Sequence, residues 1–302
     1  MADALKNVSP QTNLSQVSTF VSTHSDTYPL ISPTTANLAG KSVFIAGASR
    51  GVGWSTALRY AIAGCSKIAI GARSPLGKLA AEIKSAALSA GRPEPQVLAL
   101  HLDVTSEDSV KAAYEAITAA FGPALDVLIA NAGYMEEWAP IAEMPPANWW
   151  RHWEVNLKGT HLLAHYFIPA LLQSETRTLL TLSSIGAHGM SIGASAYQAG
   201  KFAVARLTEF ADAEYGGPGG LVAISLHPGG VKTELAMNLP GSFHQYMVDT
   251  PELPGDFMVW LGRERREWLS GRHTSANWDV GELEGRKAEI LEKNLLKFRL
   301  TI

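Results

Sequence analysis

In Tyr197-Gln-Ala-Gly-Lys201 the four-residue spacing stacks a phenol and an ammonium on one face of a helix. A tyrosine with its ordinary pKa of about 10 is a poor acid–base catalyst near neutral pH, and an adjacent cation favours its phenolate form. Thirteen residues upstream (197 − 184 = 13), Ser184 ends the apolar run Thr178–Leu182, where an α/β sheet presents ligand-binding groups, so its hydroxyl is placed to hold a substrate oxygen. A Tyr-x-x-x-Lys pair by itself reads as a surface pair. With Ser184 and a glycine-rich turn in the same chain, it becomes a candidate proton-transfer site. That turn, Gly47-Ala-Ser-Arg-Gly51-Val-Gly53, sets glycines where a backbone must bend tightly and approach a pyrophosphate at a helix N-terminus. Where a second strand ends, Gly71-Ala72-Arg73 offers no acid for a ribose 2′-hydroxyl. Arg73, with Arg50 in the glycine turn, suits a 2′-phosphate instead, so the cofactor expected is NADP(H).

These groups require a sheet to position them. Apolar, β-branched runs at Ser42–Ala46, Lys67–Gly71, Val97–Leu102, Leu125–Ala130, Thr178–Leu182 and Val222–Leu226 alternate with helical spacing at about 52–63, 76–90, 106–121, 147–173 and 195–215. This alternation predicts an α/β, doubly wound parallel sheet in one domain. A short strand near Thr274–Trp278 brings the sheet to about seven strands, and a closing helix is expected at about 281–296. Residues 233–272, rich in Met, Trp, Pro and charge, read as a small variable cap. Residues 1–38, rich in Ser and Thr with three prolines, read as a flexible arm, and 39–302 as the folded domain.

Composition excludes several alternatives. The net charge is −3 from 25 Lys plus Arg against 28 Asp plus Glu, which gives no field to attract nucleic acid. The single cysteine, Cys65, supports neither an internal disulfide nor a thiolate zinc site and suits a reducing, cytoplasmic setting. No membrane span or secretory leader is evident, so the glycosylation-type patterns Asn7-Val-Ser9 and Asn13-Leu-Ser15 carry no meaning.

Taken together, the motifs resemble those of the short-chain dehydrogenase/reductase family, in order, over about residues 40 to 232. The family's dinucleotide turn matches Ala46-Gly47-Ala-Ser-Arg-Gly51-Val-Gly53, with Ala46 in place of its usual threonine. Its adenine-side acid matches Asp103, followed by Val104, and its Asn-Asn-Ala-Gly segment matches Ala130-Asn131-Ala132-Gly133. The resemblance implies a Rossmann-type fold and a catalytic tetrad of Asn156, Ser184, Tyr197 and Lys201. In that scheme Asn156 holds a water, Ser184 orients the substrate oxygen, Lys201 bonds the nicotinamide ribose and lowers the Tyr197 pKa, and Tyr197 protonates the alkoxide. It also implies cofactor contacts from Gly47, Ser49, Arg50, Gly51, Val52, Gly53, Arg73, Asp103, Val104, Asn131, Ala132, Gly133, Tyr197 and Lys201. The later segment His227-Pro228-Gly229-Gly230-Val231-Lys232-Thr233 resembles the nicotinamide-side loop, adding Pro228, Gly229, Val231 and Thr233. The implied function is NADP(H)-dependent hydride transfer to or from a ketone, aldehyde or secondary alcohol, as in a carbonyl reductase. A dehydratase, epimerase or cyclase on the same acid–base tyrosine, or a catalytically silent dinucleotide-binding regulator, are the alternatives.

Other features weigh less. His161 and His165, four apart on a helix, lack a third ligand, so no metal is expected. The run Arg263–Glu267 reads as a solvated helix face. Trp138, Trp149, Trp150 and Trp153 read mainly as packing residues. Trp138 also suits a cleft wall, with His188, Met190, Leu235, Met237, Leu239, Phe243 and Tyr246, for a bulky and mostly apolar substrate. Apolar outer faces on the helices at 147–173 and 195–215, as in the family, would make a homodimer or homotetramer.

Overall fold

Segments such as Val43-Phe-Ile-Ala46 are apolar at every position, so a strand built from them buries both faces and needs helices on each side. A computed structural model of the chain describes residues 19–300 and shows that arrangement. The strands are β1 (Ser42–Ala46), β2 (Lys67–Ala72), β3 (Gln96–His101), β4 (Val127–Ala130), β5 (Thr178–Leu182), β6 (Val222–His227) and β7 (Arg272–Ser275). All pair in parallel, in the order β3-β2-β1-β4-β5-β6-β7. The winding reverses between β1 and β4, which opens a crevice at their C-terminal ends.

Val43 and Ile45 face one layer, in which α1 (Gly51–Ile62) and α2 (Gly77–Ser89) pack. Phe44 and Ala46 face the other, formed by α3 (Glu107–Phe121) and α5 (Gly159–Leu171). Local chemistry sets the ends of α3. Ser106 caps it by accepting from the Ser109 N–H at 3.3 Å, Glu107 and Asp108 sit at its positive end, and Gly122 stops it with φ +96°. The helix expected over 147–173 is divided: α4 (Pro146–Trp153), one π-turn (Glu154–Lys158), then α5. Such an inserted residue leaves no mark in side-chain periodicity. Next comes α6 (Ser195–Tyr215), which carries the Tyr-x-x-x-Lys pair.

Within the segment expected as a cap, α7 (Glu252–Gly262) lies in the first core layer, with Leu253, Phe257, Met258 and Leu261 fully buried. Its Asp256 is also fully buried, held by Arg59 of α1 and by Thr27. Only about 233–251 remains outside that layer. The run Arg263–Glu267 is not a solvated helix face. Arg266 is buried, its guanidinium 3.4 Å from the Trp260 ring centroid and paired with Glu264 and Glu284. The guanidinium plane stacks on the indole while its N–H groups remain satisfied. The last strand begins at Arg272, two residues before Thr274. The closing helix is two short pieces, α8 (Val280–Gly285) and α9 (Lys287–Glu292), before left-handed residues at Asn294 and Leu296.

The loose arm expected over residues 1–38 is corrected over its described part. Ile31 and Leu38 are fully buried, and the Leu38 N–H donates to Ala63 O at 3.0 Å. Arg92 donates to the carbonyls of Thr34 and Ala36. A few irregularly spaced apolar anchors hold the segment, a pattern that neither helical nor strand periodicity detects. The Asn7 and Asn13 patterns lie outside the described residues.

Candidate active site

The glycine turn follows from how closely backbones meet there. Gly47 adopts φ +87°, and a Cβ on it would lie 2.6 Å from Ala132 Cα. Asn131 donates from Nδ2 to Gly47 O at 2.6 Å, so the segment after β4 is sewn to the turn after β1. Gly51 has φ +56° and starts α1, whose N-cap carries no side-chain capping bond. The free N–H groups at that helix start, beside a turn without side chains, fit a phosphate group. Gly53 is buried and does not line the cleft; a Cβ there would overlap Gly47 O and Asn131 Nδ2. Its part is to allow the turn to close.

The turn opens on a cleft of about 1300 Å³, lined by Gly47, Ser49, Arg50, Gly51, Val52, Arg73, Asp103, Val104, Asn131, Ala132 and Gly133. Ser184, Tyr197, Lys201, Pro228, Gly229, Val231 and Thr233 also line it, Thr233 close beside Gly51. Among the described residues Arg73 makes no ion pair, and it is exposed at the end of β2. Arg50 is engaged by Glu234 at 2.6 Å, so a phosphate at Arg50 must compete with that carboxylate. Burial raises the Asp103 carboxyl, but hydrogen bonds from Thr105 and the charge of Arg73 outweigh it and leave its pKa below the ordinary value.

Ser184 and Tyr197 share the cleft lining, with the Ser184 hydroxyl near enough to pull the Tyr197 pKa down. Ser184 Oγ also accepts from the Gly186 N–H at 3.0 Å, which aims the serine from the end of β5. Lys201 is buried, and its Nζ donates to Leu182 O at 2.7 Å while lying 5.9 Å from the Tyr197 ring centroid. Burial lowers Lys201 to about 8. Burial raises Tyr197 to about 12, against the opposing pull of the Ser184 bond. The expected lowering of Tyr197 by Lys201 is therefore absent here, because the ammonium points at a carbonyl and desolvation of the phenol dominates.

Asn156, in the π-turn, lies outside the cleft lining. Its Oδ1 accepts from the Tyr134 N–H and its Nδ2 donates to Tyr134 O, both at 2.9 Å. That pair of bonds fixes the chain after Gly133 and uses one acceptor position and one donor of the amide. The backbone carbonyl already accepts from Thr160 Oγ1 at 2.7 Å.

Trp138, Leu235, Leu239, Phe243 and Tyr246 line the cleft as expected, with Trp138 and Phe243 edge to face at 5.1 Å. His188, Met190 and Met237 do not. His188 stacks on Phe298, 4.5 Å between centroids, behind the site, while Met190 and Met237 are exposed. Trp149, Trp150 and Trp153 form a separate ring cluster. His161 and His165 are exposed on α5. Thr23, His24, Ser25, Asp249, Asn277 and Trp278 line the cleft without any motif to announce them. No helix among the described residues is long and apolar enough to cross a membrane.

The short chain dehydrogenase family model matches residues 41–242. A short chain dehydrogenase of Monascus purpureus is 49% identical over 280 residues, covering 93% of this chain and 95% of that protein. One from Emericella variicolor is 37% identical over 290 residues, covering 96% and 99%. Among solved structures, an alcohol dehydrogenase from the archaeon Thermococcus sibiricus complexed with 5-hydroxy-NADP matches with TM-score 0.64 and 26% identity, over 78% of this chain and 94% of that one.

Proposed function

The chain belongs to the short-chain dehydrogenase/reductase family, and on that premise we propose that it is an NADP(H)-dependent oxidoreductase interconverting a ketone or aldehyde with its alcohol. The observation that carries this reading is that Ser184, Tyr197 and buried Lys201 line one cleft with the glycine turn, the Lys201 Nζ 5.9 Å from the Tyr197 ring centroid. The bound cofactor would supply or accept hydride at its nicotinamide ring.

The chain's own residues divide the remaining work. The turn Gly47–Gly51 and the start of α1 hold phosphates, Asp103 and Val104 face the adenine side, and Pro228, Gly229, Val231 and Thr233 wall the nicotinamide side. Ser184 Oγ and Tyr197 Oη converge on one substrate oxygen, and Tyr197 gives that oxygen its proton in reduction and removes it in oxidation. Lys201, with a pKa of about 8, exchanges protons near neutral pH and so replenishes the phenol. Trp138, Leu235, Leu239 and Phe243 favour a bulky, mostly apolar carbonyl compound.

NADP(H) in preference to NAD(H) rests on Arg73, which stands exposed at the cleft edge where an acid would otherwise accept the ribose hydroxyls. It is supported by the solved relative complexed with 5-hydroxy-NADP. In paired fluorescence titrations NADPH is expected to bind at least about tenfold tighter than NADH, about 1.4 kcal/mol. The difference should disappear in Arg73→Ala. Equal affinities in the unmodified protein would overturn the assignment.

Exposed Trp150 on α4 and Phe202 and Phe210 on α6 leave apolar surface on the two helices expected to mediate self-association. Light scattering is expected to show a species of two or four times the 32.4 kDa chain mass. A purely monomeric species at micromolar concentration would refute it.

A further inference from the structure

The loop Pro228-Gly229-Gly230, which walls the proposed nicotinamide end of the cleft, is held by groups far from it in sequence. Asp249 Oδ2 accepts from the Gly230 N–H at 2.5 Å, and the Asp249 N–H donates to Gly230 O at 3.0 Å. The same carboxylate oxygen accepts from Asn277 Nδ2 at 2.8 Å. Gly229 sits at φ +90°, and a Cβ there would lie 2.7 Å from Asp249 Oδ2, so the carboxylate presses directly against the bend.

Asn277 is in turn fixed by the N-terminal segment. Its Nδ2 also donates to His24 O at 3.0 Å, and its carbonyl accepts the His24 N–H at 2.7 Å. Ser25 O accepts the Thr250 N–H at 2.9 Å, Thr250 Oγ1 donates to Asp26 at 2.7 Å, and His24 pairs with Asp279 at 2.8 Å. Three stretches outside the 41–242 segment that the family model matches therefore close on one turn: residues 22–26, Asp249–Thr250 and Asn277–Asp279.

Resting on the oxidoreductase reading above, we propose that Asp249 is a positioning residue for the nicotinamide half of the cofactor site, with Asn277 and residues 22–26 as its brace. The carboxylate sets the Gly229–Gly230 backbone and so the wall against which the ring must lie. Among the described residues it bonds neither the glycine turn nor Arg73, which serve the phosphates and adenosine.

That separation makes the test specific. NADPH and 2′-phospho-ADP-ribose, which lacks nicotinamide, are titrated against the full-length protein and against Asp249→Leu, Asp249→Asn and Asn277→Ser, following intrinsic fluorescence and calorimetry. Leucine keeps the branched shape but removes the acceptor, and is expected to weaken NADPH at least fivefold while 2′-phospho-ADP-ribose changes less than twofold. Asparagine retains an oxygen acceptor and is expected to restore NADPH affinity to within twofold of the unmodified protein. If Asp249→Leu does not fold, Asn277→Ser takes its place, with a threefold or greater loss for NADPH alone. Equal losses for both ligands would show a merely structural role and overturn the proposal, as would unchanged NADPH binding. Failure of the unmodified protein to bind either ligand would instead sink the oxidoreductase reading itself.

Discussion

Tyr197→Phe is expected to lower carbonyl-reduction turnover by about 10²- to 10⁴-fold, the range supplied by a positioned general acid, with NADPH affinity changed by less than about twofold. The ring still fills its place beside Lys201, and only the hydroxyl that meets Ser184 is lost. Because burial holds Tyr197 near 12, the phenol remains a proton donor across the physiological range. The pH limit in reduction therefore falls to Lys201. Its lowered pKa makes it ammonium below about 8 and amine above, so turnover in reduction should decline as pH rises through about 8. Steady-state rates from about pH 6 to pH 10, read by nicotinamide absorbance, test both points. A Tyr197→Phe enzyme retaining a tenth of normal turnover would dismantle the proton-transfer role. A rate still flat to pH 10 would remove Lys201 from the proton path.

The site residues legible in the sequence share a property: their chemistry constrains neighbouring positions. A backbone that must touch Ala132 can carry only glycine at Gly47, and a phenol over an ammonium on one helix needs the four-residue spacing of Tyr197 and Lys201. Strands β1, β2, β4, β5 and β6 were equally open to reading, because burial on both faces demands apolar runs. Gly53 and Asn156 matched motifs, and their placement adds a structural use: one permits a close turn and the other bonds the backbone of Tyr134.

What escaped the sequence depends on partners distant along the chain. Asp249 and Asn277 have no local signature, since what they hold is a glycine turn 19 residues away in one case and the backbone of His24 in the other. Residues 20–38 were hidden because their anchors Val21, Ile31 and Leu38 answer to a surface rather than to a period. Arg266 in a run of mixed charges was indistinguishable from its solvated neighbours until Trp260 supplied a face for it. His188, expected in the cleft lining beside Trp138, is instead carried by the turn Ile185–Ala187 onto Phe298.

That displacement has an energetic consequence: the protein is expected to lose much of its stability between about pH 6.5 and pH 4. His188 and His273 of β7 lie against Phe298 with their centroids 4.6 Å apart, and His227 of β6 is near enough to both for their charges to couple. His188 Nε2, His227 Nδ1 and His273 Nε2 are buried without hydrogen-bond partners, so none is prepared to carry a proton. Burial lowers His188 to about 4; burial and then the neighbouring His188 lower His227 to about 3; His273 is lowered further below the ordinary value for the same reasons. Unfolded, each titrates near 6.5. Between those values the unfolded chain binds more protons than the folded one, so stability is complete above about pH 6.5 and falls as pH decreases. At pH 5 holding His188 neutral costs about 2 kcal/mol, a sizeable share of a typical total of roughly 5–15, and His227 and His273 add to the loss in the same direction. Urea unfolding midpoints at about pH 7.5 and pH 5 measure the loss, and His188→Phe, which keeps a ring on Phe298 without a titrating group, should recover part of it. Equal midpoints at the two pH values would refute the account. Since His188 follows Ser184 by four residues and His227 adjoins Pro228, protonation strikes the two segments that frame the proposed reaction centre, and activity should fail in acid before the sheet does.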